Sequence, residues 1–142
     1  MSQSRPVVVI INGPNLNLLG TREKGIYGDK SLEDIIADVQ SKFPEFDIVS
    51  YQSNIEGELI DAIQKYGFSA LGIVLNPGGY THTSVALRDA IAAIKTPVVE
   101  VHISNIHNRE DFRRLSLLAP VCKGGVIGLG TYGYEAAVRS FL

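Results

Sequence analysis

The chain has 142 residues, a length that suits one domain rather than two. With 45% hydrophobic and 20% charged residues it can bury a real core, which excludes global disorder. Lys and Arg number 13 against 15 for Asp and Glu, and the net charge of -2 offers no basic footprint for a phosphate backbone, so nucleic acid is not an expected partner.

Val7 to Ile11 (VVVII) form an unbroken β-branched run, as expected of a strand covered on both faces and hence of a parallel sheet. A helix is predicted from Ser31, where Ser31 and Asp34 have capping-box-like spacing; Leu32, Ile35, Ile36, Val39 and Phe43 make one apolar stripe, and Pro44 ends it. Asp47 to Gln52 is the second strand. It leads to a helix from about Ile55 to Tyr66, with Asn54 as its cap and Leu59, Ala62, Ile63 and Tyr66 inward. The third strand, Ala70 to Leu75, runs into Asn76, Pro77 and two glycines before a helix carrying Leu87, Ala90, Ile91 and Ile94. Pro97 to His102 is the fourth strand, and a helix capped by Asn108 is expected over Phe112, Leu115 and Leu118. Val126 to Leu129 is the fifth strand and a last helix spans about Gly133 to Phe141. Five strands alternating with five helices predict an α/β fold, a flavodoxin-like doubly wound parallel sheet in the order 2-1-3-4-5 with right-handed crossovers.

The single cysteine, Cys122, cannot make an internal disulfide or a multi-thiolate metal site. No stretch approaches the ~18 consecutive apolar residues of a membrane span, and the start MSQSRP lacks the build of a signal peptide, so a cytoplasmic location is expected. Without repeats, low-complexity runs or linker-like shifts, residues 1–142 are expected to form one uninterrupted domain.

Ligands of open parallel sheets sit beyond the carboxyl ends of the strands, near the point where strand order reverses. Strand one ends in Asn12-Gly13-Pro14-Asn15, strand three in Asn76-Pro77-Gly78-Gly79 and strand four in His102-Ile103-Ser104-Asn105, all polar groups following apolar runs. Asn12 and Asn76 should therefore be neighbours although 64 positions separate them. The segment from about 13 to 30 is far longer than the ~2 to 6 residues usual between strand and helix, and it reads as a lid or binding loop. It carries Arg22 and Tyr27, a cation and a phenol; Tyr27 is either a catalytic group or an ordinary packed aromatic.

Glu100 and His102, two apart on a strand, share a face, so the carboxylate can orient the imidazole. A satisfied structural contact is the competing reading, and the position at the strand's end favours catalysis. His82 follows the Gly-rich turn and is suited to donate a hydrogen bond to a ligand hydroxyl, or to a structural role. The spacing of His82, His102 and His107 matches no compact metal motif. Gly128-Leu129-Gly130-Thr131-Tyr132-Gly133 spells G-x-G-x-x-G, yet only nine residues follow, too few for a dinucleotide fold; its glycines are expected to shape a tight turn. No lysine has an evidently desolvated position, which disfavours imine chemistry.

NGPNLNLLGTRE with Tyr27-Gly28 in the lid, QSNIEGELID, NPGGYTHTSVALRDA and VEVHISNIHNREDFRRLS stand in order along the chain. On these motifs the chain closely resembles type II dehydroquinases (type II 3-dehydroquinate dehydratases), from strand one almost to the last helix. The resemblance implies reversible anti dehydration of 3-dehydroquinate to 3-dehydroshikimate through an enolate, with no metal, nucleotide or other cofactor. This step is shared by aromatic amino acid biosynthesis, through the shikimate pathway, and by quinate breakdown.

By the same resemblance Tyr27 is the base that removes a C2 proton and His102 protonates the departing C1 hydroxyl, oriented by Glu100. A free phenol is only about one part in a thousand ionised at pH 7, and Arg22 is matched to the cation that assists it. Asn12 is matched to the residue that helps stabilise the enolate oxygen, through a held water. Asn76, His82 and Arg113 resemble ligands of the hydroxyl face, and Ile103 and Ser104 the carboxylate-binding pair. Asp89 matches a residue that reaches a neighbouring subunit's site, which implies trimers assembled into dodecamers. The family often has alanine where Gly79 stands, a departure expected to loosen the turn before His82. The competing reading is a flavodoxin-like binding or signalling module. Asn12 and Asn76 stand where a receiver needs acidic residues, and no phosphate-cradling flavin loop follows Ile11.

Overall fold

The computed structural model describes residues 4–21 and 30–142, so Arg22, Tyr27 and the rest of 22–29 in the predicted lid lie outside the described residues. Strands β1 (Val7–Asn12), β2 (Asp47–Gln52), β3 (Gly72–Asn76), β4 (Val98–His102) and β5 (Gly124–Ile127) are all parallel and ordered β2-β1-β3-β4-β5. This is the doubly wound order expected from the alternation of apolar runs. Val8, Ile10, Val74, Val99 and Val101 share one core with helices α1 (Leu32–Lys42) and α4 (Tyr132–Arg139). Val9, Ile11, Ile73, Leu75 and Val98 turn the other way, to α2 (Glu56–Tyr66) and α3 (Val85–Ala93). Each large aliphatic side chain so buried is worth roughly 1.5–3 kcal/mol, which is why an unbroken β-branched run is stable at the centre of the sheet.

Local chemistry starts two of the helices. Ser31 Oγ accepts from the Asp34 N–H at 3.1 Å and Ser84 Oγ from the Leu87 N–H at 2.9 Å. Asn54, expected to cap α2, does not: Ile55 occupies that position without a side-chain bond. The Asn54 Oδ1 is engaged elsewhere, accepting from the Asn15 N–H at 3.0 Å and from Gln52 Nε2 at 3.2 Å, so it ties the loop after β1 to the end of β2.

The α-helix predicted over Phe112, Leu115 and Leu118 is replaced by three short 3-10 turns, Ile106–Asn108, Asp111–Arg113 and Ala119–Val121, leaving four α-helices among the described residues. Phe112 and Leu115 are exposed and only Leu118 is buried. Between its short turns the segment bonds outward: the Leu117 N–H reaches the Thr81 carbonyl at 2.7 Å and Ser116 Oγ reaches Glu100. Among the described residues Asn108 caps no turn; Asn105 Oδ1 accepts from the His107 N–H and begins the first turn.

Strand β5 begins two residues earlier than predicted, because Gly124 and Gly125 pair with Val99 and Glu100 where a side chain on Gly125 would press within 3.3 Å of the Glu100 carbonyl. Gly128 and Gly130 then take φ of 83° and 63°, so the G-x-G-x-x-G run builds a tight turn, as expected, into α4. Among the described residues no helix is long and apolar enough to cross a membrane.

Two glycines beside the strand ends separate steric need from tolerance. A Cβ on Gly13 would lie 2.6 Å from the Pro77 carbonyl oxygen, whereas a Cβ on Gly79 meets nothing within 4 Å. Chemical denaturation should show Gly13→Ala destabilised by about 1–3 kcal/mol. Gly79→Ala should be neutral or stabilised by up to about 1 kcal/mol. Equal losses in both would refute this account of the turn.

Candidate active site

Parallel pairing brings the strand ends into line. Asn12 stands opposite Asn76 in register, and the Gly13 N–H continues the ladder to the Asn76 carbonyl at 2.8 Å. At this carboxyl edge opens a cavity of about 280 Å³ lined by Asn76, His82, His102, Ile103, Ser104 and Arg113, together with Asn15 and Arg109. Six of the predicted site residues therefore converge here from β3, β4 and the loops that follow them. Asn12 and Glu100 are buried beside these lining residues, each hydrogen-bonded to the same network as one of them. Asp89 is not brought in; it lies exposed on α3, paired with Arg88 at 3.5 Å. Arg22 and Tyr27 lie outside the described residues.

The Glu100–His102 pair is the strongest electrostatic feature. His102 Nε2 lies 2.5 Å from Glu100 Oε2, with both side chains almost wholly buried. Thr81 Oγ1 donates to the same oxygen at 2.5 Å, and Ser116 Oγ lies 3.1 and 3.0 Å from the two carboxylate oxygens. Burial by itself pushes Glu100 up. The His102 and Thr81 bonds, the His102 charge and Ser116 outweigh it and hold the carboxyl below its ordinary value. Glu100 is thus an anion at neutral pH, and an anion can only accept, so Nε2 carries the proton and Nδ1 is left for the cavity.

His82 Nδ1 lies 2.8 Å from the Leu115 carbonyl, which can only accept, so Nδ1 carries a proton and Nε2 is the ring nitrogen left for the cavity. Ser104 and the two arginines form a polar rim: Arg109 reaches Ser104 Oγ at 3.3 Å, and Arg113 Nε bonds Glu110 at 3.0 Å while lying over the Phe112 ring. A hydroxyl and two guanidinium groups suit an anionic substituent on a small ligand.

Behind the opposite wall, the phenol of Tyr134 lies between the amides of Asn12 and Asn76, at 2.5 and 2.9 Å. Sequence reasoning missed Tyr134, because a tyrosine four before Val138 on an amphipathic helix reads as core. It also missed Thr81 and Ser116, whose roles depend on a carboxylate distant in sequence. Cys122 is no candidate nucleophile, since burial and the Glu100 charge push its thiol up to about 12. Among the described residues no group of three or more His, Cys, Asp or Glu is placed to hold a metal ion.

The family described as Dehydroquinase class II matches residues 6–142. The chain is 52% identical over 133 residues to 3-dehydroquinate dehydratase of Sulfurovum sp., covering 92% of this chain and 82% of that protein. It is 53% identical over 136 residues to 3-dehydroquinate dehydratase 1 of Agrobacterium fabrum, covering 94% of each. The fold is similar to the crystal structure of type II dehydroquinase from Butyrivibrio crossotus, with a TM-score of 0.92, 43% identity, and coverage of 96% of this chain and 97% of that one.

A lowered carboxyl contributes stability above its unfolded value, near ~4.3 for glutamate, and loses it as pH falls through the lower folded value. Unfolding free energy measured from pH 6 to about pH 2 should decline below about pH 4, and the decline should be shallower in Glu100→Gln. An identical slope in the variant would contradict the carboxylate's place in the network.

Proposed function

The chain belongs to the class II dehydroquinase family, and from that premise we propose that it dehydrates 3-dehydroquinate reversibly to 3-dehydroshikimate, as a hydro-lyase. The observation that carries this reading is the buried Glu100–His102 pair, whose imidazole lines a cavity together with Asn76, His82 and Ser104. Among the described residues nothing in the site favours a binding or signalling module.

In this reading Tyr27, carried on the lid with Arg22 beside it, removes a proton from C2 next to the ketone and leaves an enolate. His102, with Nε2 fixed by Glu100, delivers its Nδ1 proton to the C1 hydroxyl on the opposite side of the ring. The C1–O bond then breaks, water departs, and the enolate electrons close the C1–C2 double bond. Glu100 supplies the counter-charge to the ring while it is protonated. Asn12 serves the enolate oxygen; a preorganised donor at such a place is worth about 3–4 kcal/mol of barrier. Asn76, His82 and Arg113 hold the hydroxyl face, His82 through Nε2 and Arg113 as a donor. Ile103 and Ser104 take the carboxylate, for which the nearby arginines supply positive charge.

Asp89 is left exposed on α3 and serves, in this reading, the site of a neighbouring copy within a trimer, with trimers gathered into a dodecamer. Of the 13–30 segment, Leu16 and Leu19 are buried in the core, and in this reading the lid that closes the cavity and excludes water around the phenolate is the part beyond them.

Adding 3-dehydroquinate to the purified protein should raise the ultraviolet absorbance of a conjugated enone. Tyr27→Phe should lower that rate by about 10²–10⁴-fold with the fold unchanged by circular dichroism. Near-normal turnover in the folded variant would overturn the base assignment.

A further inference from the structure

The chemistry above uses the amides of Asn12 and Asn76 but leaves unexplained the phenol buried between them. Tyr134 lies in the first turn of α4, which follows β5 and so begins at the carboxyl edge of the sheet. Asn12 and Asn76 continue the face of Val8, Ile10 and Val74 that this helix covers, and the register sets them side by side. One phenol can therefore touch both.

The bonds run in a single direction. The Gly78 N–H can only donate, so the Asn76 atom 3.2 Å from it is Oδ1. Asn76 Nδ2 then faces Tyr134 and donates to its oxygen at 2.9 Å. The one phenolic proton is left for the other neighbour, Asn12, 2.5 Å away, and the receiving atom must be Oδ1. The reverse setting of Asn12 would leave the phenol between two donors with no acceptor for its own proton. The relay ends on Asn12 Nδ2, which is buried and, among the described residues, has no hydrogen-bond partner. A buried donor without a partner is rare enough to require an explanation. Burial pushes the Tyr134 phenol well up, with the Asn76 bond opposing it only partly, so the proton stays on the oxygen throughout the working pH range.

We propose that Tyr134 is a positioning residue: it relays a backbone N–H at Gly78 through Asn76 to Asn12 and so locks the Asn12 amide with its N–H groups, not its carbonyl, free to serve the oxygen of the reacting ketone. Without the relay the Asn12 amide turns freely, and in half of its settings a carbonyl faces developing negative charge. The inference rests on the enolate role of Asn12. The binding of ground-state substrate depends little on that amide, so the relay acts on kcat rather than on KM.

The test is a double-mutant cycle on the full-length protein with 3-dehydroquinate as substrate. Tyr134→Phe should lower kcat by about 10-fold to 10²-fold with KM changed by less than about threefold. In an Asn12→Ala background it should have no further effect, because there is no amide left to orient. Unchanged kcat in Tyr134→Phe, or an equal additional loss in the Asn12→Ala background, would overturn the relay. Should Tyr134→Phe fail to fold, neutron diffraction of the deuterated wild type decides the matter. It should show one deuteron on the Tyr134 oxygen directed at Asn12 and two on Asn12 Nδ2, and a phenolic deuteron directed at Asn76 would refute it. Absence of dehydratase turnover in the wild type would instead remove the functional reading, while the deuteron positions would still test the relay.

Discussion

A charged carboxylate is buried within the parallel sheet, and much of this structure answers to that one demand. Glu100 is almost wholly buried among β-branched neighbours, where an unpaired anion would cost several kcal/mol. Three side chains meet it: the His102 ring from its own strand, Thr81 from the turn after β3 and Ser116 from the segment after β4. Those contacts fix more than the charge. They dock the 78–82 turn and the 106–121 segment onto the sheet edge, and they hold the imidazole in one orientation with one nitrogen facing the cavity.

The two sides of the sheet contribute different chemistry to the same edge. Glu100 and His102 lie on the face opposite to Val99 and Val101, while Asn12 and Asn76 lie on the face covered by α1 and α4. Only beyond the last residues of β1, β3 and β4, where the sheet stops, can groups from both faces address one ligand. A proton donor on one side and hydrogen-bonding amides on the other is the arrangement that an elimination passing through an enolate requires. The fold supplies the separation of roles, and the parallel register supplies the alignment.

Much of this was legible in the residues. An unbroken β-branched run marked β1 and shorter, mainly apolar runs marked β3 and β4, and the rule that ligands sit at strand carboxyl ends placed Asn12 beside Asn76. The pairing of Glu100 with His102 followed from the two-residue period of a strand. What was not legible depended on partners far away in the chain. Phe112, Leu115 and Leu118 have helical spacing, yet Ser116 and the Leu117 N–H are drawn to Glu100 and Thr81, so the segment closes short 3-10 turns instead of one continuous α-helix. Gly124 and Gly125 are poor strand formers by themselves and pair only because β4 lies beside them. Tyr134 looked like core because its hydroxyl partners lie 122 and 58 positions away.

The central claim is that proton removal and loss of the hydroxyl as water belong to separate groups, with His102 acting only in the second. The most direct measurement follows deuterium at C2 of 3-dehydroquinate by nuclear magnetic resonance in heavy water, with His102→Ala as catalyst. The variant should exchange the C2 hydrogen while forming almost no enone, since the base and the enolate site remain. Loss of exchange together with dehydration in the folded variant, or dehydration at the wild-type rate, would contradict the division of labour.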